Sequence, residues 1–201
     1  NQQRDAERLV RFMGPGVGCI VLAAGSSKRL GQPKALVELG GGTLVGWVVG
    51  RLREYGLDPV VVTNESIFEE VLESTDCDVV CNPNPDLGRT GTVQLGIRRI
   101  GLDPGRRFLI VPVDRPGFSG DTLSSLLATT DTTCPSGEGR GGHPILLSED
   151  DAARILNAVP SKPLRDLVSP AKIEVSDPFL HLNVDLPSDL VRLDEAFTEL
   201  S

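Results

Sequence analysis

Three cations and two glycines lie close together near the start of this 201-residue chain, in the segment LAAGSSKRLGQPK at residues 22–34. The cations are Lys28, Arg29 and Lys34, and the glycines are Gly25 and Gly31. Backbone N–H groups beside a glycine can approach phosphate oxygens closely, because glycine has no side chain. An arginine can bind a phosphate bidentately, and a lysine can act as a point charge. The segment therefore predicts a loop that binds phosphate.

Acidic and amide side chains follow two later apolar runs. Asp114 comes directly after the run at residues 108–113, and Asn183 and Asp185 lie at the end of the run at residues 180–184. If the runs are strands of one sheet, we expect these residues at the edge that also holds the phosphate loop. Oxygen ligands and nucleotide phosphates together bind Mg²⁺. Asp114 is therefore a candidate Mg²⁺ ligand, and a cap for the following helix is its alternative role.

Net charge and hydropathy argue against two kinds of partner. A net charge of −8 disfavours nucleic-acid binding, which requires a broad basic face. No apolar run approaches the roughly 20 residues that span a bilayer, so a membrane partner is not expected. The N-terminus is polar and charged and does not read as a secretory signal, so a cytoplasmic location is the default expectation.

The absence of several motifs and the spacing of the cysteines argue against some enzyme classes and some kinds of site. The motifs G-x-S-x-G, H-E-x-x-H and G-x-x-x-x-G-K-[ST] do not occur, which argues against the hydrolases and Walker-type NTPases that carry them. The spacing of the four cysteines fits neither a paired C-x-x-C zinc site nor a dense disulfide framework. Reduced, mostly buried thiols are therefore expected at Cys19, Cys77, Cys81 and Cys134.

Hydrophobic patterns predict strands that alternate with helices over residues 17–130. The predicted strands cover 17–22, 59–63, 77–81 and 108–113, and the predicted helices cover 44–55, 66–72, 92–100 and a segment from Ser119 or Asp121 to Thr129. Such alternation favours a mainly parallel sheet covered on both faces. Beyond residue 131, strands at 143–147, 173–175 and 180–184, a helix at 149–159 and a final helix beginning at Pro187 predict a mixed or antiparallel edge. We expect one three-layer α/β/α domain over residues 14–201, with residues 1–13 as a helical or disordered appendage.

The loop at residues 22–34 resembles the signature L-A-A-G-x-S-x-R-M-G-x-x-K of the MobA-like nucleotidyltransferases, which include the molybdenum cofactor cytidylyltransferases. Four further segments resemble motifs of that family in the same order, and the resemblance extends over residues 17–195. These segments are 84–96, with Asn84-Pro85-Asp86, Thr90-Gly91-Thr92 and Gly96, then 114–116, 142–144 and 183–190. The chain departs from the pattern at Arg115, where the family usually has Gln or Met.

The resemblance implies a Rossmann-like GT-A fold. It also implies transfer of a nucleoside monophosphate from an NTP to a phosphorylated acceptor, with release of pyrophosphate. Lys34, Arg29 and Asp114 would be catalytic. The nucleotide would contact Leu22, Ala23, Ala24, Gly25, Ser26, Ser27, Arg29, Lys34, Asn84, Thr90 and Thr92. Mg²⁺ would be bound by Asp114 with Asn183 or Asp185, and the acceptor would contact Arg115, Pro116, Gly142 and His143.

Ala24 favours CTP as the nucleotide, because guanylyltransferase relatives usually carry glycine at this position. Molybdopterin is the favoured acceptor, and a sugar, inositol or other alcohol phosphate is the alternative. A nucleotide-binding protein without turnover is the third hypothesis, and the intact Lys34, Arg29 and Asp114 argue against it. His143 has two open roles, since it can contact the acceptor or pack beneath the adjacent glycine-rich loop.

Overall fold

The computed structural model of the protein describes residues 16–201, and the appendage expected at residues 1–13 lies outside this range. The described chain contains strands β1 (Gly18–Ala23), β2 (Glu38–Leu39), β3 (Gly42–Thr43), β4 (Pro59–Asn64), β5 (Asp78–Asn82), β6 (Phe108–Pro112), β7 (Thr133–Gly137), β8 (Arg140–Gly141), β9 (Ile145–Leu147) and β10 (Ala171–Glu174). Its α-helices are α1 (Leu44–Glu54), α2 (Phe68–Ser74), α3 (Arg89–Ile100), α4 (Gly120–Leu127), α5 (Glu149–Leu156) and α6 (Asp189–Leu200). Within this range, no helix combines the length and the apolarity that crossing a membrane requires.

One mixed sheet organises the fold, with strand order β10-β7-β9-β6-β1-β4-β5 and β8 paired to β7. β1 is parallel to both β4 and β6, and β4 is parallel to β5. β9 is antiparallel to β6 and to β7, which forms the antiparallel part expected beyond residue 131. The strand order reverses at β1, because the chain continues to β4 on one side and later adds β6 on the other. A crevice at the carboxyl ends of β1 and β6 follows from this reversal.

Helices cover both faces of the sheet because the side chains of β1 alternate between two hydrophobic cores. Cys19 and Val21 pack into the core that contains side chains of α1, α2, α4 and α6. Ile20 and Leu22 pack into the core that contains side chains of α3 and α5. A Cβ at Gly96 of α3 would lie 2.6 Å from a methyl carbon of Ile20, so glycine permits this close helix–sheet approach. The predicted three-layer α/β/α class with a mixed, mostly parallel sheet is confirmed.

The ends of two helices follow the sequence predictions. Thr43 caps α1, since its Oγ1 accepts a hydrogen bond from the backbone N–H of Gly46 at 3.1 Å. Gly56 ends α1 in a left-handed conformation with φ of 75°, and its N–H donates to the carbonyl of Arg53 at 3.0 Å. Ser119, and not Asp121, caps α4 through a hydrogen bond from the N–H of Thr122 at 3.2 Å.

Several predicted boundaries are wrong by a few residues. α3 begins at Arg89, earlier than the predicted residue 92, and α5 ends at Leu156, before the predicted residue 159. The helix predicted at residues 66–72 consists of a 3₁₀ turn (Glu65–Ile67) followed by α2. The final helix, α6, begins at Asp189, so Pro187 precedes it.

Two predictions about strands are wrong in kind. The run at residues 180–184 is not a strand, because its backbone N–H groups bond to nearby turns and to a loop. Leu182 donates to the carbonyl of Phe179, and Val184 donates to the carbonyl of Asp114, both at 2.9 Å. Conversely, the sequence of β7, TCPSG, does not predict a strand, because it has no run of β-branched or aromatic residues. Four of its five residues are nevertheless buried. Long-range pairing with β8, β9 and β10 forms this strand.

Candidate active site

A cavity of about 410 Å³ lies at the carboxyl ends of β1 and β6, where the sheet topology predicts a crevice. Its wall is formed mainly by the predicted phosphate loop, by the segment after β6 and by the start of α3. The lining residues are Leu22, Ala23, Ala24, Gly25, Ser26, Ser27, Lys28, Arg29, Lys34, Ala35, Ile67, Pro85, Gly88, Arg89, Thr92, Pro112, Val113, Asp114 and Asp185. The structure therefore brings the loop together with two of the three predicted metal ligands.

Lys34 joins these two carboxylates. Its Nζ lies 3.2 Å from Oδ2 of Asp114 and 3.1 Å from Oδ1 of Asp185, and Nη1 of Arg29 lies 2.8 Å from Oδ2 of Asp185. The side chains of Lys34 and Asp114 are each 17% exposed, whereas that of Arg29 is 75% exposed. The hydrogen bond from Lys34, supported by the charges of Lys34 and Arg29, holds the pKa of Asp185 below its usual value. Both carboxylates therefore meet at one partly buried cation.

Backbone hydrogen bonds position Asp185 in this cluster. The N–H of Val184 donates to the carbonyl of Asp114 at 2.9 Å, which joins the two segments that carry the carboxylates. Oδ2 of Asp189 accepts the N–H groups of Asp185 at 3.0 Å and Leu186 at 2.7 Å. The sequence did not reveal this role of Asp189, because its carboxylate accepts N–H groups that precede α6, whereas a capping residue accepts those of the first turn.

Asn183, the alternative metal ligand, has a different environment from Asp185. It lines a separate cavity of about 870 Å³, which Asp185 also borders, and it is not among the residues around the 410 Å³ cavity. Its Oδ1 is buried and has no hydrogen-bond partner within residues 16–201. The residue that shares a cation with Asp114 is thus Asp185.

The phosphate loop is shaped by hydrogen bonds that leave its glycine end open. Oγ of Ser27 accepts the N–H of Lys34 at 3.0 Å, which closes the loop over six intervening residues. Ser27 itself has a left-handed backbone with φ of 53°. Gly25 and Ser26 are exposed, and no atom lies within 4 Å of a Cβ built at Gly25. An anion can therefore approach the backbone at this end of the loop.

The residues predicted to contact the base form the buried start of the loop. Leu22, Ala23 and Ala24 are between 4% and 7% exposed and line the cavity. Oγ1 of Thr63 donates to the carbonyl of Ala23 at 2.9 Å, and Nδ2 of Asn64 donates to that of Ala24 at 3.3 Å. These bonds from β4 fix the wall against which a base would lie.

Of the three residues predicted around the nucleotide beyond β5, the structure brings only Thr92 to the cavity. Its Oγ1 accepts a hydrogen bond from Nδ2 of Asn82 at 3.0 Å. Thr90 is buried and its hydroxyl donates to the carbonyl of Lys162, while Asn84 is exposed and outside the cavity lining. Arg89 lines the cavity and was not among the predicted site residues, although it lies within the segment at residues 84–96 that resembles the family.

The four residues predicted to contact the acceptor do not line this cavity. Two of them, Pro116 and Gly142, make structural contacts elsewhere. The carbonyl of Pro116 accepts a hydrogen bond from the buried Arg51 at 2.7 Å. A Cβ at Gly142 would lie 2.9 Å from the side chain of Leu180, so glycine allows that close contact. Arg115 is half-buried beside Asp114.

His143, which was predicted to contact the acceptor, is a half-buried imidazole. Its Nδ1 is buried and has no partner in the described part of the chain. Burial, followed by the charges of Arg89 and Arg115, lowers the pKa of His143 to about 4. The imidazole is therefore neutral at pH 7.

The cysteines take no part in the site. Cys19 and Cys134 are buried, Cys77 and Cys81 are half-buried, and all four are free. Burial raises the pKa values of Cys19, Cys77 and Cys134, so these thiols stay protonated at neutral pH.

Comparison with known proteins connects this cavity to an enzyme family. The family model for the MobA-like NTP transferase domain matches residues 19–187, which include the phosphate loop, Asp114 and Asp185. The chain is 21% identical over 192 residues to molybdenum cofactor cytidylyltransferase of Escherichia coli K12, a match that covers 92% of this chain and 98% of the relative.

Two further matches show the range of similar proteins. The chain is 29% identical over 119 residues to a probable molybdenum cofactor guanylyltransferase of Opitutus terrae, covering 59% of this chain and 56% of the relative. A crystal structure of the homologue of Mycobacterium tuberculosis Rv0371c from Mycobacterium sp. strain JC1 superposes with a TM-score of 0.74. That structure is 25% identical in sequence, and the match covers 92% of this chain and 98% of the homologue.

Proposed function

This chain belongs to the MobA-like NTP transferase domain family and is a nucleotidyltransferase, and we propose that it transfers CMP from CTP to molybdopterin with Mg²⁺ as cofactor. The observation that carries the site assignment is the meeting of Asp114 and Asp185 at Nζ of Lys34, beside an open phosphate loop. The cytidylyltransferase relative that matches nearly the whole chain supports the choice of CMP and molybdopterin. We further propose a cytoplasmic reaction, which the free thiols support, since disulfides are rare in that compartment.

Asp114 and Asp185 are the proposed Mg²⁺ ligands. Their carboxylate oxygens already converge on a single cation, Nζ of Lys34. Mg²⁺ is usually bound by one or two carboxylates together with substrate phosphates, and this pair fits that pattern. A self-sufficient cluster of three or more His, Cys, Asp or Glu ligands does not occur in residues 16–201, so the phosphates would complete the site. When bound, Mg²⁺ would offset the negative charge of the triphosphate.

On this proposal, substrate binding breaks the ion pairs of the cluster and gives its cations and its carboxylates new partners. Arg29 and Lys34 leave Asp114 and Asp185 for the phosphates of CTP, and the two carboxylates become free for the metal ion. Breaking only half of the cluster would leave a partly buried charge without a partner, which is unfavourable. Nucleotide and metal should therefore bind cooperatively.

The reaction is a displacement at the α-phosphorus of CTP. An oxygen of the acceptor phosphate forms a new bond to this phosphorus, while the bond to the oxygen bridging the α- and β-phosphorus atoms breaks. The electron pair of the broken bond leaves with pyrophosphate. The acceptor phosphate is already anionic at pH 7, so the protein has no proton to remove. Lys34 and Arg29 position the phosphates and offset their charge, and one unit charge at ~4 Å contributes about 4 kcal/mol at an effective dielectric constant of ~20.

Ala24 supports a pyrimidine base. Its side chain is 6% exposed and lines the cavity, so its methyl group occupies space that glycine would leave open. Relatives of both cytidylyl and guanylyl specificity match the chain, which makes nucleotide preference the first quantity to measure.

Pyrophosphate release with defined substrate pairs tests the proposed function. The protein is incubated with Mg²⁺, with each of CTP, UTP, GTP and ATP, and with molybdopterin or a panel of sugar, inositol and alcohol phosphates. We expect the fastest release with CTP and molybdopterin, and a loss of release in the Asp114→Asn variant. A preference for GTP would refute the argument from Ala24, and a faster sugar phosphate would replace molybdopterin. Nucleotide binding without release from any pair would favour the non-catalytic hypothesis.

A further inference from the structure

The 410 Å³ cavity is lined by more cationic side chains than carboxylates, so some cations have no ion-pair partner. Arg29 and Lys34 bind Asp114 and Asp185, which accounts for both carboxylates of the lining. Lys28 of the phosphate loop and Arg89 at the start of α3 also line the cavity, and neither forms an ion pair with a carboxylate in residues 16–201. The side of the cavity formed by α3 therefore presents a cation that the described protein does not neutralise.

Arg89 lies on a different side of the cavity from the phosphate loop. The loop leads to Leu30 and Ala35, which pack into the core on one face of the sheet. α3, which begins at Arg89, packs through Val93 and Ile97 into the core on the opposite face. No acidic residue occurs in the first turn of α3. A phosphate bound by the loop and a phosphate bound by Arg89 would thus approach each other across the crevice.

Arg115 is a second unpaired cation close to the cavity, since the residue before it, Asp114, lines the cavity wall. It directly follows Asp114 and likewise forms no ion pair in the described chain. The charges of Arg89 and Arg115 both act on the imidazole of His143, which burial and these two charges keep neutral at pH 7. The carboxylate of Asp114 also acts on this ring, but it is paired with Lys34, so the two guanidinium groups keep a positive charge that an anion would stabilise.

We propose that Arg89 and Arg115 bind the phosphate group of the acceptor, and that Arg89 is a specificity-determining residue for phosphate monoesters. This inference rests on the proposed function, in which the loop and Lys34 hold the nucleotide phosphates. The reaction must bring a second anion to the α-phosphorus, and Arg29 and Lys34 are already engaged there. Arginine suits this role because its planar fork can bind two phosphate oxygens at once.

Calorimetric titration of inorganic phosphate tests the second anion site without knowledge of the acceptor. The protein is first saturated with Mg²⁺ and α,β-methylene-CTP, a nonreactive analogue, whose own titration measures the nucleotide site. We expect Arg89→Gln to weaken phosphate binding by about 10- to 100-fold, the range for a charged hydrogen bond, with little change for the analogue. Arg89→Lys should retain part of the affinity, because the charge remains. The matched control is Arg98→Gln, an exposed arginine in the last turn of the same helix.

Each of the other possible results would refute one particular claim. Unchanged phosphate affinity in Arg89→Gln, or no phosphate binding by the wild type, would refute the second anion site. An equal loss for phosphate and analogue would assign Arg89 to the nucleotide instead. A protein that binds no analogue would refute the proposed function. Phosphate titration without nucleotide would then still decide whether Arg89 and Arg115 bind an anion.

Discussion

The backbone N–H of Val184 donates a hydrogen bond to the carbonyl oxygen of Asp114, with 2.9 Å between the two atoms. This bond joins two irregular segments that are distant in sequence and places Asp185 beside Asp114. Lys34 then contacts both carboxylates with one amino group. The charge cluster at the centre of the site therefore depends on a backbone contact outside the regular ladders of the sheet.

Replacing Lys34 with methionine should raise the affinity for Mn²⁺, used as a spectroscopic probe for Mg²⁺, in the absence of nucleotide. The ammonium group competes with a metal ion for the oxygens of Asp114 and Asp185, and methionine removes that competition while it keeps a similar volume. Electron paramagnetic resonance measures the free Mn²⁺ directly. The same variant should lower kcat by about 10²- to 10³-fold, the range for loss of one preorganised charge-stabilising group.

The exposed Lys162 provides the control, since Lys162→Met removes a charge of the same kind outside the cluster. It should change neither the Mn²⁺ affinity nor the turnover. Weaker Mn²⁺ binding in Lys34→Met would show that Lys34 does not occupy the place of a metal ion. An unchanged kcat would remove Lys34 from the catalytic machinery.

Asp185→Asn should have opposite effects on nucleotide binding with and without metal. In metal-free buffer the substitution releases Arg29 and removes one of the two carboxylates paired with Lys34, so CTP should bind more tightly than it binds to the wild type. With Mg²⁺ present, loss of a ligand should weaken CTP binding. Calorimetry in EDTA and in Mg²⁺ measures both effects, and a change of the same sign in the two buffers would contradict the partner exchange.

Asp189→Ala should lower turnover by displacing Asp185. The substitution removes the acceptor for the N–H groups of Asp185 and Leu186, and it should cost about 1.5–3 kcal/mol of stability, the range for hydrogen bonds to a charged group. Asp189→Asn keeps an oxygen at this position and should restore kcat. If Asp189→Asn is as slow as Asp189→Ala while both remain folded, Asp189 does not act through those backbone bonds.

Gly117→Ala should destabilise the protein and the site together. A Cβ at Gly117 would lie 1.8 Å from the carbonyl oxygen of Phe179, so the segment that leads to Asp185 must move. Such overpacking costs about 1–3 kcal/mol or more in the free energy of unfolding, which urea titration measures. Gly50→Ala in α1 is the control, because no atom lies within 4 Å of its Cβ position, and it should gain about 0.5–1 kcal/mol. Equal stability of the two variants would contradict the packing described for Gly117.

The stability of the protein should fall as the pH drops from 6.5 towards 4, in part because of His143. The unfolded chain takes up a proton on this residue near its ordinary pKa of 6.5, whereas the folded chain does so only at about 4. Acid therefore favours the unfolded state by about 2–3 kcal/mol near pH 4.5. His143→Gln should lose this contribution. Urea unfolding in EDTA at neutral and acidic pH measures the difference, and an identical pH dependence in wild type and variant would show that His143 titrates normally.

The sequence by itself determined the parts of this protein that depend on neighbouring residues. An apolar run followed by glycine and spaced cations predicted β1 and the open loop after it, and Thr43 and Gly56 marked the ends of α1. The alternation of strands and helices predicted the layered sheet, which in turn placed the cavity at the ends of β1 and β6. These features could be predicted from the sequence, because each arises from the conformational preferences of nearby residues and from the spacing of hydrophobic side chains.

Only the tertiary structure decided which distant residues meet. It joined Asp185 to Asp114 through Lys34, brought Arg89 to the cavity and turned the hydroxyl of Thr90 away towards Lys162. It also made β7 a strand and the run at residues 180–184 an irregular segment. The physical reason is the same in each case: these outcomes depend on hydrogen bonds and packing between segments far apart in the chain, and no local pattern of residues encodes the partner.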